Sequence, residues 1–171
     1  MADMTDRLRN AEEHDHRRIV AAIESWWTDS RSPAAARELS LLVPRLFLQH
    51  FSGTSFVAER DGRMTGFLIG FLSADRAEDA YIHFVGVDPA LRRSGLARAL
   101  YAKFFDAASR AGRGRVQCIT SPANSGSIAF HRRMGFELVP GDTEADGVPV
   151  HRDYDGPGHD RVCFVRDISG R

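Results

Sequence analysis

The chain has 171 residues, 43% of them hydrophobic, which is enough to bury one sizeable core, and one domain over residues 1–171 is expected. Positive and negative side chains balance at 23 each, which removes the basic footprint of a general nucleic-acid binder, and no run of about 18 uncharged apolar residues offers a bilayer span. With no charged-then-apolar leader and only Cys118 and Cys163 as thiols, the expectation is a soluble cytoplasmic protein without a disulfide framework, with neither nucleic acid nor membrane as partner.

Residues 7–13 read as a short first strand. Apolar residues then recur at helical spacing from about Asp15 to Trp27. Ser32 and Pro33 have the chemistry of an N-cap and first turn, and the helix they open is expected to run through Phe51 with a kink at Pro44. The segments TSFVAER and MTGFLIGFLS are strand-like, and Asp61-Gly62-Arg63 between them suits a tight antiparallel hairpin. AYIHFVGV is a further strand, stopped at Asp88-Pro89 because proline removes a ladder donor. From Gly95, Leu96, Leu100, Phe104 and Ala107 share one helical face until Gly112 and Gly114 end it. RVQCITS predicts a strand, IAFHRRM a short helix ended by Gly135, FELVP a strand, residues 141–160 a long loop, and RVCFVRDI the last strand.

The most informative unit is a strand, a proline stop, then Arg92-Arg93-Ser94-Gly95-Leu96-Ala97-Arg98 opening a helix. The first turn of a helix leaves amide N–H groups unpaired at the positive end of its dipole, so it accepts phosphate oxygens directly. Gly95 and Ala97 keep bulk away from such a ligand, and the arginines add charge. The phrase has neither the G-x-G-x-x-G of a dinucleotide site nor the Gly-Lys-Ser/Thr of a P-loop. Taken alone, a glycine in a strand-to-helix turn is equally a steric device.

Arg92, Gly95 and Ala97, placed after FVGVDP, resemble the Gln/Arg-x-x-Gly-x-Gly/Ala hallmark of the GCN5-related N-acetyltransferase (GNAT) superfamily. About 30 residues on, Asn124 and Ile128-Ala129-Phe130-His131-Arg132-Arg133-Met134-Gly135-Phe136 resemble that family's second motif. The resemblance spans roughly Thr54 to Phe136. It implies an α/β (α+β) fold with a mixed, mostly antiparallel sheet flanked by helices, whose parallel strands splay to admit acetyl-CoA. It also implies pantetheine pairing along Val85, Gly86 and Val87, the pyrophosphate at Arg92 to Arg98, and further cofactor contacts from Asn124, Ser127, Phe130, His131 and Arg133. Asn124 is equally read as the N-cap of its helix, and Arg133 as an exposed helix arginine.

Acetyl transfer to an amine needs a neutral amine, a polarised thioester carbonyl and a proton for the leaving thiolate. Alternation along the strand, if unbroken by a bulge, puts Tyr81, His83, Val85 and Val87 on one face, with Tyr81 and His83 as candidate catalytic residues. His83 is the leading candidate base, since imidazole titrates near neutral pH and its position resembles a strand histidine of the arylalkylamine branch. A hydrogen-bonded core histidine is the competing account, and Glu59 is a second candidate base. Where the family usually offers a tyrosine as thiolate donor, this chain has His131, which leaves donor and simple cofactor contact both open. Trp26, Trp27, Phe47, His50 and Tyr154 are candidate acceptor-lining residues, although paired tryptophans more often pack. The acids Asp142, Glu144, Asp146, Asp153 and Asp155 would attract a cationic amine, or are a solvated loop. The implied activity is N-acetyl transfer from acetyl-CoA to a small primary amine, with a protein N-terminus or lysine as alternative acceptor, or a non-catalytic acyl-CoA sensor as alternative class. A homodimer is consistent with similar proteins, and no metal is expected.

Overall fold

The computed structural model describes residues 5–170. Strand β1 (Arg7–Asn10) is shorter than the segment expected, because residues 13–15 close into one 3-10 turn, with the Glu12 amide donating to Asp15 Oδ2 at 2.9 Å. Helix α1 (His16–Trp26) follows and buries Ile19, Ala22 and Ile23 along one stripe. Helix α2 (Pro33–Ser40) opens as its sequence requires, with Ser32 Oγ accepting the Ala35 amide at 3.2 Å and Pro33 in the first turn.

The single kinked helix expected through Phe51 does not form. After Ser40, the amides of Leu41, Leu42 and Val43 donate three residues back, and a separate helix α3 (Leu46–His50) starts beyond Pro44. Pro44 has no N–H for the carbonyl of Ser40, and its ring disfavours helical backbone at Val43, so the ladder is cut rather than bent.

The chain divides into two compact units. The first holds residues through Leu72 together with Ile82–Ala107. Its strands lie in the order β1, β2 (Phe56–Arg60), β3 (Arg63–Leu72) and β4 (Asp79–Val87). The β2–β3 hairpin turns through Asp61 and Gly62 at φ 50° and 75°, the left-handed pair that this turn demands. Val57, Phe67 and Ile69 from the strands meet Ile19, Ile23, Val43 and Leu48 from the helical segment in one core. Helix α4 (Leu96–Arg110) begins in this unit and buries Leu96, Leu100 and Phe104.

The second unit holds Ser73–Tyr81 and the residues from Ala108 on. Here the first residues of β4 run parallel to β5 (Arg115–Thr120), in register from Asp79↔Arg115 to Tyr81↔Gln117. Helix α5 (Ser125–Arg133) begins three residues earlier than IAFHRRM predicts, because Asn124 Oδ1 accepts the Ser127 amide at 3.1 Å and so sets the start. Short β6 (Glu137–Leu138) and β5 lie antiparallel to β9 (Val162–Asp167). Residues 141–160, expected as loop, contain a hairpin of β7 (Thr143–Ala145) and β8 (Val148–Val150). Asp146 and Gly147 turn it at φ 50° and 77°, the same Asp-Gly device as in the first hairpin. The architecture is α/β, a mostly antiparallel sheet with β4 and β5 as its parallel pair and helices beside it. No helix among the described residues is long and apolar enough to cross a membrane.

Candidate active site

In the first unit, β4 ends where Asp88 Oδ1 accepts the Ala90 amide at 3.0 Å and Pro89 starts a 3-10 turn. The Asp88 amide donates to the Thr65 carbonyl at 2.9 Å, which ties this corner to β3. Arg93 then takes φ 66° and Gly95 φ 90°, reversing the chain into α4. The first ladder bond runs from the Ala99 amide to the Gly95 carbonyl at 3.0 Å, so the amides before it lie outside the ladder. Leu96 is buried and anchors the helix, while Arg92, Arg93, Ser94, Gly95 and Arg98 are exposed and Ala97 is half-buried. A Cβ on Gly95 would meet nothing within 4 Å. Glycine is needed here for the backbone angle, and the space over the turn is open to an anion.

The strand feeding this turn is held from one side. A Cβ on Gly86 would stand 2.5 Å from Phe67 Cε1 and 3.2 Å from Trp27 Cη2. Trp26 stacks on Phe67 at 6.0 Å between centroids and Trp27 meets Phe84 edge-on at 5.6 Å. Both tryptophans therefore pack against the core. Val85 and Val87 are half-buried.

His83 is partly exposed. Its Nε2 lies 2.5 Å from the Leu42 carbonyl, in the turn cut by Pro44, and its ring stacks on Phe47 at 4.5 Å and 11°. Phe47 in turn meets Phe51 and Phe71 at 5.7 and 6.4 Å. His50 is exposed at the end of α3. The second candidate base, Glu59, is engaged elsewhere: it accepts Arg9 Nε and Nη2 at 3.2 and 3.0 Å and Arg18 Nη1 at 2.6 Å. Hydrogen bonds from Arg9 and Arg18 hold its carboxyl below the usual range, which makes it a poor proton acceptor. Sequence reading passed over this network, since Arg9 and Asp15 carry no motif.

In the second unit, Asn124 caps α5 and the helix presents Ser127, Phe130 and His131 along one side. His131 is buried, and its Nδ1 lies 2.8 Å from the Ser127 carbonyl and 3.2 Å from Ser127 Oγ. A carbonyl only accepts, so Nδ1 carries the ring proton. Burial pushes the His131 pKa down, with the Ser127 bond opposing it, so the ring is neutral at pH 7. Its face stacks on Phe164 at 4.8 Å. Arg133 is exposed. Tyr81 is half-buried, and burial foremost raises its pKa well above the ordinary phenol, leaving the hydroxyl protonated. Tyr154 is 50% exposed and meets His151 edge-on.

The acids of the late segment organise that segment. Asp142 accepts the Arg152 amide at 2.9 Å, Asp153 accepts the Gly158 amide at 2.6 Å, and Asp155 pairs with Arg161 at 2.7 Å. Glu144 and Asp146 are exposed on the small hairpin. Among the described residues no group of three His, Cys, Asp or Glu could hold a metal ion. Asp79, a residue the sequence reading did not single out, is 3% exposed and accepts Arg115 Nε and Gln117 Nε2 at 2.8 and 2.7 Å, which pins the start of the parallel pair.

The model of the acetyltransferase (GNAT) family matches residues 13–136, more than two thirds of the sequence. The chain belongs to the GNAT family. Within that family it is 36% identical over 98 residues to an L-2,4-diaminobutyric acid acetyltransferase of Nocardia farcinica, a stretch covering 55% of this chain and 51% of the relative. The chain thus spans about half the length of that relative. Among solved structures it matches the diaminobutyrate acetyltransferase of Paenibacillus lautus, in complex with L-2,4-diaminobutyric acid and coenzyme A, at TM-score 0.69 and 21% identity over 98% of each chain. It also matches the ribosomal-protein-S18-alanine N-acetyltransferase of Escherichia coli at TM-score 0.67 and 22% identity, over 98% of this chain and 96% of that one. At such identities the likeness is one of fold.

Proposed function

We propose that this GNAT-family chain is an acetyl-CoA-dependent N-acetyltransferase whose acceptor is a small primary amine. The observation that carries this reading is the turn from Arg92 to Arg98, with amides outside the helix ladder, exposed arginines and open space over Gly95 at φ 90°. A diphosphate is what such a turn binds best, because the helix dipole and the N–H groups act on the same oxygens. Arg92, Arg93 and Arg98 would hold the diphosphate, Val85, Gly86 and Val87 would pair with the pantetheine arm like an added strand, and Asn124, Ser127, Phe130, His131 and Arg133 would supply the remaining cofactor contacts. The amide of Val87 would polarise the thioester carbonyl.

An alkyl ammonium has a pKa near 10.4, so it must lose a proton before its nitrogen can attack. His83 takes that proton. The nitrogen pair then forms the C–N bond as the C–S bond breaks, and the second proton released from nitrogen balances the leaving sulfur. His131 contacts the cofactor instead of donating, since its ring proton is committed to the Ser127 carbonyl. Tyr81 holds its proton too tightly to surrender it to a thiolate, and hydrogen-bonds it instead. The L-2,4-diaminobutyric acid acetyltransferase that matches over 98 residues supports a small amine as acceptor.

Release of free thiol from acetyl-CoA, followed over diamino acids, polyamines, arylalkylamines and short peptides, tests the reading. Turnover on a small amine and an Arg92→Gln variant with KM for acetyl-CoA raised about 10-fold or more are expected, since a hydrogen bond to a charged group contributes about 1.5–3 kcal/mol. Neither heat nor thermal protection on titration with coenzyme A would end it.

A further inference from the structure

We infer that the turn broken at Pro44 is a positioning device for His83: the Leu42 carbonyl and the Phe47 ring hold the imidazole as its Nε2–H tautomer, with the Nδ1 lone pair directed at the acceptor amine. The inference rests on the proposed reading of His83 as base.

Three observations within the first unit carry it. The Leu42 carbonyl lies 2.5 Å from Nε2, and a carbonyl oxygen can only accept, so in the neutral ring the proton resides on Nε2. Nδ1 is then the lone-pair nitrogen, and it has no hydrogen-bond partner among the described residues. Phe47 lies parallel to the ring at 4.5 Å and 11°, which blocks rotation about the bond joining ring to Cβ and keeps Nε2 on the carbonyl.

The carbonyl is free for this bond because of the proline. In an unbroken helix the Leu42 carbonyl would accept the amide of Leu46 four residues on. Here the amides of Leu41, Leu42 and Val43 turn back by three residues, α3 restarts at Leu46, and the Leu42 carbonyl points at β4. When the ammonium of the acceptor gives its proton to Nδ1, the nitrogen keeps the electron pair and the ring becomes imidazolium. The Nε2–H to carbonyl bond is then charge-assisted, so the clamp keeps the ring in place through the proton transfer.

The direct test is a long-range proton–nitrogen correlation spectrum of the full chain carrying 15N-labelled histidine, with His83 assigned by its loss in His83→Ala. The neutral ring is expected as the Nε2–H tautomer. A Pro44→Ala variant lets Leu46 claim the carbonyl, so a mixture of tautomers and a kcat lowered several-fold at unchanged KM for acetyl-CoA are expected. An Nδ1–H tautomer in the unmodified chain, or a Pro44→Ala variant with unaltered spectrum and kcat, overturns the clamp. Unchanged turnover in His83→Ala would instead remove His83 as base, a separate outcome that leaves the tautomer measurement standing.

Discussion

Gly86 of β4 lies directly beneath the ring of Phe67 on β3, so close that a methyl group in place of its hydrogen would stand 2.5 Å from Cε1 and 2.7 Å from Cζ. The two residues meet at the point where β4 approaches its end, and Trp27 closes the same space from the C-cap of α1.

Gly86→Ala is therefore expected to destabilise the fold by about 1–3 kcal/mol, the usual cost of overpacking a filled site. A lowered urea midpoint with an unchanged slope is the expected result. Because Phe67 and Trp27 must shift, turnover should fall as well. A midpoint equal to that of the unmodified chain would mean that the ring yields without resistance.

Asp15 has no solvent exposure and is gripped by Arg9 through Nη1 and Nη2 at 2.8 and 2.9 Å, with Arg18 at 3.2 Å. Burial pushes its carboxyl up, but the Arg9 hydrogen bonds and charge and the Glu12 amide outweigh that, leaving it below the ordinary range. A depressed carboxyl contributes stability that is fully present above its unfolded pKa, about 3.9, and is lost as pH falls towards the folded value. Asp15→Asn should cost about 1.5–3 kcal/mol, since it removes the charge-assisted bonds between a buried carboxylate and Arg9, which keeps Glu59 as its remaining partner. It should also flatten the stability profile below pH 4, and denaturant unfolding at pH 7 and pH 3 checks both statements.

His131 gives a second pH dependence. Burial lowers its pKa, so between the folded value and about 6.5 the unfolded chain binds the extra proton. Stability from this ring is complete above pH 6.5 and declines as pH falls below it. His131→Phe preserves the stack on Phe164 while removing the titration, so a smaller loss of stability between pH 7 and pH 5 than in the unmodified chain is expected. Equal slopes would show that the ring charges without cost.

Asn124→Ala removes the side-chain oxygen that accepts the Ser127 amide, and about 1 kcal/mol of stability should go with it. Asn124→Asp keeps an acceptor at the helix start and should restore most of that loss. Thermal melts of the two variants separate the cap from any cofactor contact: a cap alone predicts that Asn124→Asp binds coenzyme A like the unmodified chain.

The order of elements and the turn that opens α4 are legible in the linear chain because their causes are local. Proline after Asp88, Gly95 at a positive φ, Ser32 as cap and the Asp61-Gly62 pair each act within four residues. The same signal is present at Asp146-Gly147, but the acidic composition around it suits a loop as well, and only the structure shows the hairpin there. What only the tertiary structure decided were relations between residues far apart in sequence. Glu59 lost its candidacy as base to arginines 41 and 50 positions away. His83 lies against a carbonyl 41 positions away, and the late acids hold their own loop. Local backbone preferences are written into neighbouring side chains, whereas the protonation state and partner of a titratable group depend on which distant dipoles the fold brings to within about 3 Å.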